Sequence, residues 1–362
     1  MQALGVGLIG CGSIARGHAY ALRLLADDGD VRPVAATDLS PDAVEKIREI
    51  CPFERVAPDA QALIDDPDVD AVVIVTPTTT HRALVDAVLA AGKPFVCEKP
   101  LAADFKTVRL MCDAVREANA IAQVGFHSRF HALINRLKTI VDGGELGAPM
   151  AYVLRDDQFW PTGDVVPGHT SWRSQLAHTG GGALIEHSIH SADILSWIFG
   201  APTSVFMRSR NVFEYDVEDA VAATVEHASG VIGTLVSIFN GVRGREERRL
   251  EVFFERGAVE VTTDFLVRAP EDSFLIQRPD QEAERLDVDA ICGEHFEALG
   301  LPRQKFFVYL YPAARSFVHA VRDQRIPTPG FEDAFTAHAF VEAAYRSAAS
   351  NQPVPLIGDL AR

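Results

Sequence analysis

The chain has 362 residues, 48% hydrophobic and 23% charged, a globular composition at a length where one hydrophobic core usually divides, so two domains are expected. Its 34 basic residues stand against 50 acidic ones, a formal charge of −16 that repels phosphate backbones and excludes nucleic acid as an expected partner. No tract approaches the ~18 apolar residues of a membrane span, so no membrane partner is expected either.

Five scattered cysteines without a C-x-x-C pair give neither a disulfide framework nor a thiolate zinc site. The chain opens Met1-Gln2-Ala3-Leu4-Gly5 with no basic stretch or cleavable apolar region, and with reduced thiols this points to the cytoplasm.

In chain order, short β-branched runs at 4–9, 34–37, 71–75, 95–97 and 122–125 alternate with helical-period segments at 13–26, 41–50, 60–65, 80–91 and 104–118. That rhythm predicts an α/β domain over 1–125 with a doubly wound parallel sheet. After residue 126 come a helix at 132–142, an irregular stretch at 156–182 and a helix through Phe199. Strands at 205–212, 220–227, 231–239, 250–254 and 258–262 then follow without intervening helices, and helices at 312–323 and 332–350 close the chain. The second domain, 126–362, is therefore expected to be α+β, a largely antiparallel open sheet flanked by helices, with the C-terminal helix packing back on the first domain. The basic cluster Arg243, Arg245, Arg248 and Arg249, interleaved with Glu246 and Glu247, reads as a solvated strand or turn.

Gly10-Cys11-Gly12-Ser13-Ile14-Ala15 is a G-x-G-x-x-A directly after a strand and opening a helix. Gly10 permits the tight turn, Gly12 lets backbone approach a pyrophosphate, Ala15 allows close helix packing, and the Ser13-Ile14 turn aims the helix N-terminus at phosphate. Such a fingerprint predicts a Rossmann domain. Asp38 ends the second strand 26 positions after Gly12, where its carboxylate can accept from the adenosine ribose hydroxyls. No Arg or Lys follows at 39 or 40 to pair a 2′-phosphate, so NAD is expected over NADP. The plainer alternative is that Asp38 only caps the following turn.

Two further groups carry chemistry. Glu98-Lys99-Pro100 stands at the carboxyl end of a strand, where open α/β sheets place ligands and where an ammonium can hold a hydroxyl or exchange a proton. Gly180-Gly181-Gly182 leads into a helix on which Glu186, His190 and Asp193 would share one face, so that a carboxylate could orient an imidazole, with His187 pointing elsewhere. A helix-start polar network and a metal site using Glu186 and His190 are the competing readings.

Taken in this order, these motifs, with Thr76-Pro77-Thr78-Thr79-Thr80-His81, Gly125-Phe126-His127-Ser128-Arg129-Phe130 and Gly330-Phe331-Glu332-Asp333-Ala334, resemble the glucose-fructose oxidoreductase / inositol dehydrogenase (Gfo/Idh/MocA) family over nearly the whole chain. The resemblance implies an NAD-dependent oxidoreductase transferring hydride between nicotinamide and a secondary alcohol or ketone of a sugar, sugar acid or cyclic polyol. It implies Lys99 beside the nicotinamide, His190 as the general base with Glu186 as its carboxylate, and Thr76, Pro77, His81 and Glu98 along the cofactor. His127, Arg129, Trp172, Arg173 and His187 would meet the substrate, no metal is implied, and a homodimer or homotetramer is expected. The alternatives are an NAD-retaining glycosidase or lyase working by transient oxidation, and a non-catalytic NAD-binding regulator. Glu186 stands where the family has Asp, His127 where it has Asn, and Ser188 where it has Gly. These departures mean that the substrates of well-known members do not transfer.

Overall fold

The computed structural model describes residues 2–159, 171–240, 242, 246–263, 269–302 and 309–361. Residues 160–170 of the irregular stretch, and Arg243 and Arg245 of the basic cluster, lie outside them. Contacts divide the chain into two units, residues 1–126 with 310–335, and residues 127–309 with 336–362.

The first elements are β1 (Leu4–Ile9), α1 (Ala15–Asp27), β2 (Val31–Thr37), α2 (Pro41–Ile50), β3 (Arg55–Val56), α3 (Ala60–Asp65), β4 (Ala71–Ile74), α4 (His81–Ala90), β5 (Phe95–Cys97), α5 (Phe105–Glu117) and β6 (Ala122–Val124). Then come α6 (Ala132–Gly143), β7 (Pro149–Phe159), α7 (Leu176–Thr179), a π-helical turn at Ala183–His187, α8 (Ile189–Phe199), β8 (Pro202–Arg210), β9 (Ala220–His227), β10 (Ile232–Asn240), β11 (Glu247–Phe254) and β12 (Gly257–Thr263). The chain closes with β13 (Ser273–Gln277), β14 (Glu284–Arg285), α9 (Val288–Ala298), α10 (Leu310–Arg322), α11 (Phe331–Ser350) and β15 (Val354–Pro355).

In the first unit six strands lie in the order β3-β2-β1-β4-β5-β6, every pair parallel. That is the dinucleotide-binding order, with the topological switch between β1 and β4. Every residue of β4 and β5 is buried, as crossover helices on both faces require. Local chemistry starts the helices: Ser40, Asp59 and Asp104 accept from the amides of Ala43, Ala62 and Thr107, and Pro41 sits in the first turn of α2. The second strand begins at Val31, earlier than its apolar run suggests; its register against β1 shifts beside Pro33, which has no amide to donate. The helix α10 belongs to this unit, against α1, where the Tyr311 hydroxyl donates to Asp28 and Arg322 pairs with Asp30 at 2.6 Å.

The second unit holds a nine-stranded sheet, β14-β13-β12-β11-β7-β10-β9-β8-β15. It is antiparallel except that β7 runs parallel to β10. The strand β7 falls partly inside the stretch expected to be irregular, because Arg155-Asp156-Asp157-Gln158 reads as polar loop. Its inward side carries Tyr152, Leu154 and Asp156, and the Tyr152 ring stacks on Phe199 at 5.1 Å. On β11 the expectation of solvated arginines fails at Arg248, which is buried beside Asp156, while Arg249 is exposed and pairs with Glu260 at 2.5 Å.

Candidate active site

The nucleotide half is built at the carboxyl ends of β1 and β2. Gly10 holds φ +98°, a backbone region that only glycine takes cheaply, and a methyl there would lie 2.7 Å from the Val75 carbonyl oxygen. Gly12 has open space above it, with nothing within 4 Å of where a side chain would begin. No side chain caps α1 at Ser13-Ile14 and its first turn has no acidic residue, so its partial positive end suits a pyrophosphate. Asp38 caps the turn that follows it, Oδ1 accepting from the Ser40 amide at 2.8 Å, and Oδ2 accepts from the Cys11 amide at 2.7 Å. Each carboxylate oxygen has a second lone pair for a ribose hydroxyl, so the residues present fit NAD.

The turn after β4 carries Thr76 and Pro77, joined by the Thr80 hydroxyl, which lies 2.7 Å from Thr76 Oγ1 and 2.8 Å from the Pro77 carbonyl oxygen. His81 is turned inward, its ring nitrogens 2.9 and 3.0 Å from the carbonyl oxygens of Thr76 and Pro100. Burial holds this imidazole below its ordinary pKa, against the pull of those carbonyls and of Glu98. Its place is thus a brace between the two loops. Glu98 is buried, with Oε1 2.8 Å from His18 Nε2 and Oε2 accepting from the Lys99 amide at 3.0 Å. Lys99 itself is half-buried just past β5. His18, on α1, is a partner that no motif in the sequence announced.

In the second unit the expected single α-helical face is broken. Residues 183–187 wind as a π-turn and α8 starts afresh at Ile189, so Glu186 and His190 do not stand at an α-helical i,i+4 spacing. The cause lies in the triple glycine. A methyl on Gly181 would meet the Tyr345 hydroxyl at 2.0 Å, and one on Gly182 the Glu218 carbonyl oxygen at 1.8 Å. The Glu218 carboxylate accepts from the amides of Gly182 (2.7 Å) and Leu184 (3.0 Å) and from the Tyr345 hydroxyl (2.9 Å). Burial raises the Glu218 pKa, and the amide and hydroxyl donors offset it only in part.

Asp156 holds the other side of the turn. Its carboxylate accepts from the Ser188 hydroxyl (2.8 Å) and the Ser191 hydroxyl (2.5 Å) and lies 3.0 Å from His187 Nε2, with the Arg248 guanidinium 3.5 Å away. Burial acts to raise this carboxyl, but Arg248, His187 and the hydroxyl donors outweigh it and hold it well below the usual carboxylate range. Three residues around His190 are thereby tied to β7. The His127 ring lies edge-on to the His190 ring with centroids 4.5 Å apart, and both are buried.

The two expected substrate arginines are ion-paired. Arg129 grips Asp193 bidentately at 2.8 and 2.6 Å and lies 5.6 Å from the Trp197 ring. Arg173 donates to Glu186 at 2.6 Å and lies 4.9 Å from the Trp172 ring. Asp156, Glu218, Tyr345 and Arg248 carry the site's geometry, yet no local spacing marked them, because their partners are 31 to 127 residues away.

A family profile for the oxidoreductase family with NAD-binding Rossmann fold matches residues 4–126, and one for the Gfo/Idh/MocA C-terminal domain matches residues 134–260. The myo-inositol 2-dehydrogenase of Thermotoga maritima is 31% identical over 70% of this chain and 74% of its own length.

The chain belongs to the Gfo/Idh/MocA oxidoreductase family.

The inositol 2-dehydrogenase of Rhizobium meliloti is 28% identical, with 97% of this chain and 98% of that protein aligned. A levoglucosan dehydrogenase solved with NADH and levoglucosan shares the fold at a TM-score of 0.86 and 23% identity, covering 99% of this chain and 100% of that one. The first unit is accordingly an NAD-binding domain of an NAD-dependent oxidoreductase. Among the described residues no helix is long and apolar enough to cross a membrane.

Proposed function

We propose that this protein interconverts a secondary alcohol and ketone of a sugar or cyclic polyol, with Lys99 and His190 handling the proton. NAD, when bound, supplies the hydride acceptor or donor. The Lys99 ammonium holds the reacting oxygen by a charge-assisted hydrogen bond and so favours the developing alkoxide. His190 takes the hydroxyl proton during oxidation and returns it during reduction. His127, His187, Trp172 and Arg173 contact the substrate from the second unit.

The observation that carries this reading is the position of Lys99, two residues past β5 at the carboxyl end of a parallel sheet, where such sheets bind their ligands. The inositol and levoglucosan dehydrogenases among its relatives support the substrate class. Turnover of sugars and cyclic polyols, followed by nicotinamide absorbance, tests it.

Asp38 gives a separate expectation. Fluorescence titration should show tighter binding of NADH than of NADPH, and Asp38→Ser should shrink that ratio about 10- to 100-fold, the worth of a charged hydrogen bond. Equal affinities in the unaltered protein would contradict the role of Asp38. The outer face of the nine-stranded sheet exposes Val153, Ile232 and Phe253, and pairing of such faces between copies would cover them. Light scattering should therefore give a dimer or tetramer mass; a monomer mass at working concentration contradicts this. A cytoplasmic location accords with five buried cysteines, none in a disulfide.

A further inference from the structure

We propose that the Arg173–Glu186 ion pair sets the substrate's charge class: the site takes uncharged sugars and polyols and discriminates against their carboxylate derivatives. This rests on the reading of the second unit as the substrate domain.

The Glu186 side chain is 3% exposed and that of Arg173 26%, so the carboxylate is the buried partner and the guanidinium the one that solvent or a ligand reaches. Glu186 Oε2 accepts from Arg173 Nη1 at 2.6 Å, and the Trp172 ring lies 4.9 Å from the guanidinium carbon. The fork is thus fixed in place and its charge is matched. An incoming hydroxyl can accept from a guanidinium N–H at no electrostatic cost. An incoming carboxylate would bring a second negative charge to a cation that already has one, beside the buried Glu186 carboxylate.

Charge matching recurs in the same unit. Arg129 pairs with Asp193 and Arg248 with Asp156, so with Arg173–Glu186 three guanidinium charges each face a carboxylate. The field of the whole chain, with its formal charge of −16, also disfavours anions. Glu186 is one methylene longer than the aspartate that the resemblance leads one to expect, and the carboxylate at its end meets Arg173, thirteen positions upstream.

The test compares the sugar bearing a CH₂OH group that shows the highest kcat/KM with the same compound oxidised at that CH₂OH to the carboxylate. The unaltered protein should favour the neutral member at least about tenfold. Glu186→Gln leaves Arg173 unmatched and should lower that ratio at least about tenfold. Arg173→Gln should leave the ratio unchanged or raise it, and the double variant should return it toward the original value. Lost packing alone would not produce opposite responses followed by recovery. For a variant whose turnover is gone, calorimetry on the NAD-saturated protein gives the corresponding ratio of dissociation constants. A carboxylate as the better substrate, or a ratio that falls alike in both single variants, overturns the proposal. Absence of turnover on every neutral sugar and polyol overturns instead the functional reading on which it rests.

Discussion

Replacing His190 by alanine is expected to lower kcat/KM about 10²- to 10⁴-fold, the usual worth of a positioned general base, while leaving NADH affinity nearly unchanged. Lys99→Ala is expected to cost a similar factor, because the reacting oxygen then loses its only assigned cation. The two losses should be far from additive, since base and ammonium act on one proton and one oxygen. The geometry behind the expectation is a segment held from two sides. Glu218 and Tyr345 fix its glycine entry, Asp156 fixes Ser188 and Ser191, and His190 stands between those serines in the chain. Steady-state kinetics on an identified substrate decides the matter: full activity in both variants would remove Lys99 and His190 from the mechanism.

The second large effect is at Asp156. Asp156→Ala removes a fully buried carboxylate and leaves the Arg248 guanidinium without its counter-charge, which should cost about 3–5 kcal/mol. For a domain of this size that is a fall in Tm of roughly 10 °C. The pH dependence has a definite sign. The folded carboxyl is held below its unfolded value of about 3.9, so its contribution is complete above that value and drains away as pH falls through the folded one. The stability gap between the unaltered protein and Asp156→Asn should therefore be widest near neutral pH and narrow below about pH 4. A gap under about 1 kcal/mol at neutral pH would show that Arg248 and His187 do not depend on this carboxylate.

The nucleotide half was legible because its chemistry is local. Gly10, Gly12 and Ala15 lie within one turn, Asp38 ends an apolar run, and β1, α2 and β5 begin and end where the hydrophobic pattern puts them. The substrate half was legible only in outline. The polar run Arg155-Asp156-Asp157-Gln158 hid β7, although the ladder to β10 and β11 is continuous through it. What makes Asp156 a strand residue is Arg248, ninety-two positions on, and no local pattern records such a partner. The π-turn was hidden for the same reason: Gly181 and Gly182 look like flexibility, while in the fold they clear room for Tyr345 and Glu218. Glu186 and Arg173 were each singled out, but their pairing belongs to the fold rather than to either motif.

The most direct test of the central assignment is a screen of neutral sugars, inositols and sugar acids with NAD, followed by nicotinamide absorbance. NADH should accumulate with at least one neutral sugar or cyclic polyol, faster than with NADP in place of NAD. No net reduction of NAD with any of them, by protein shown to bind the cofactor, would contradict it.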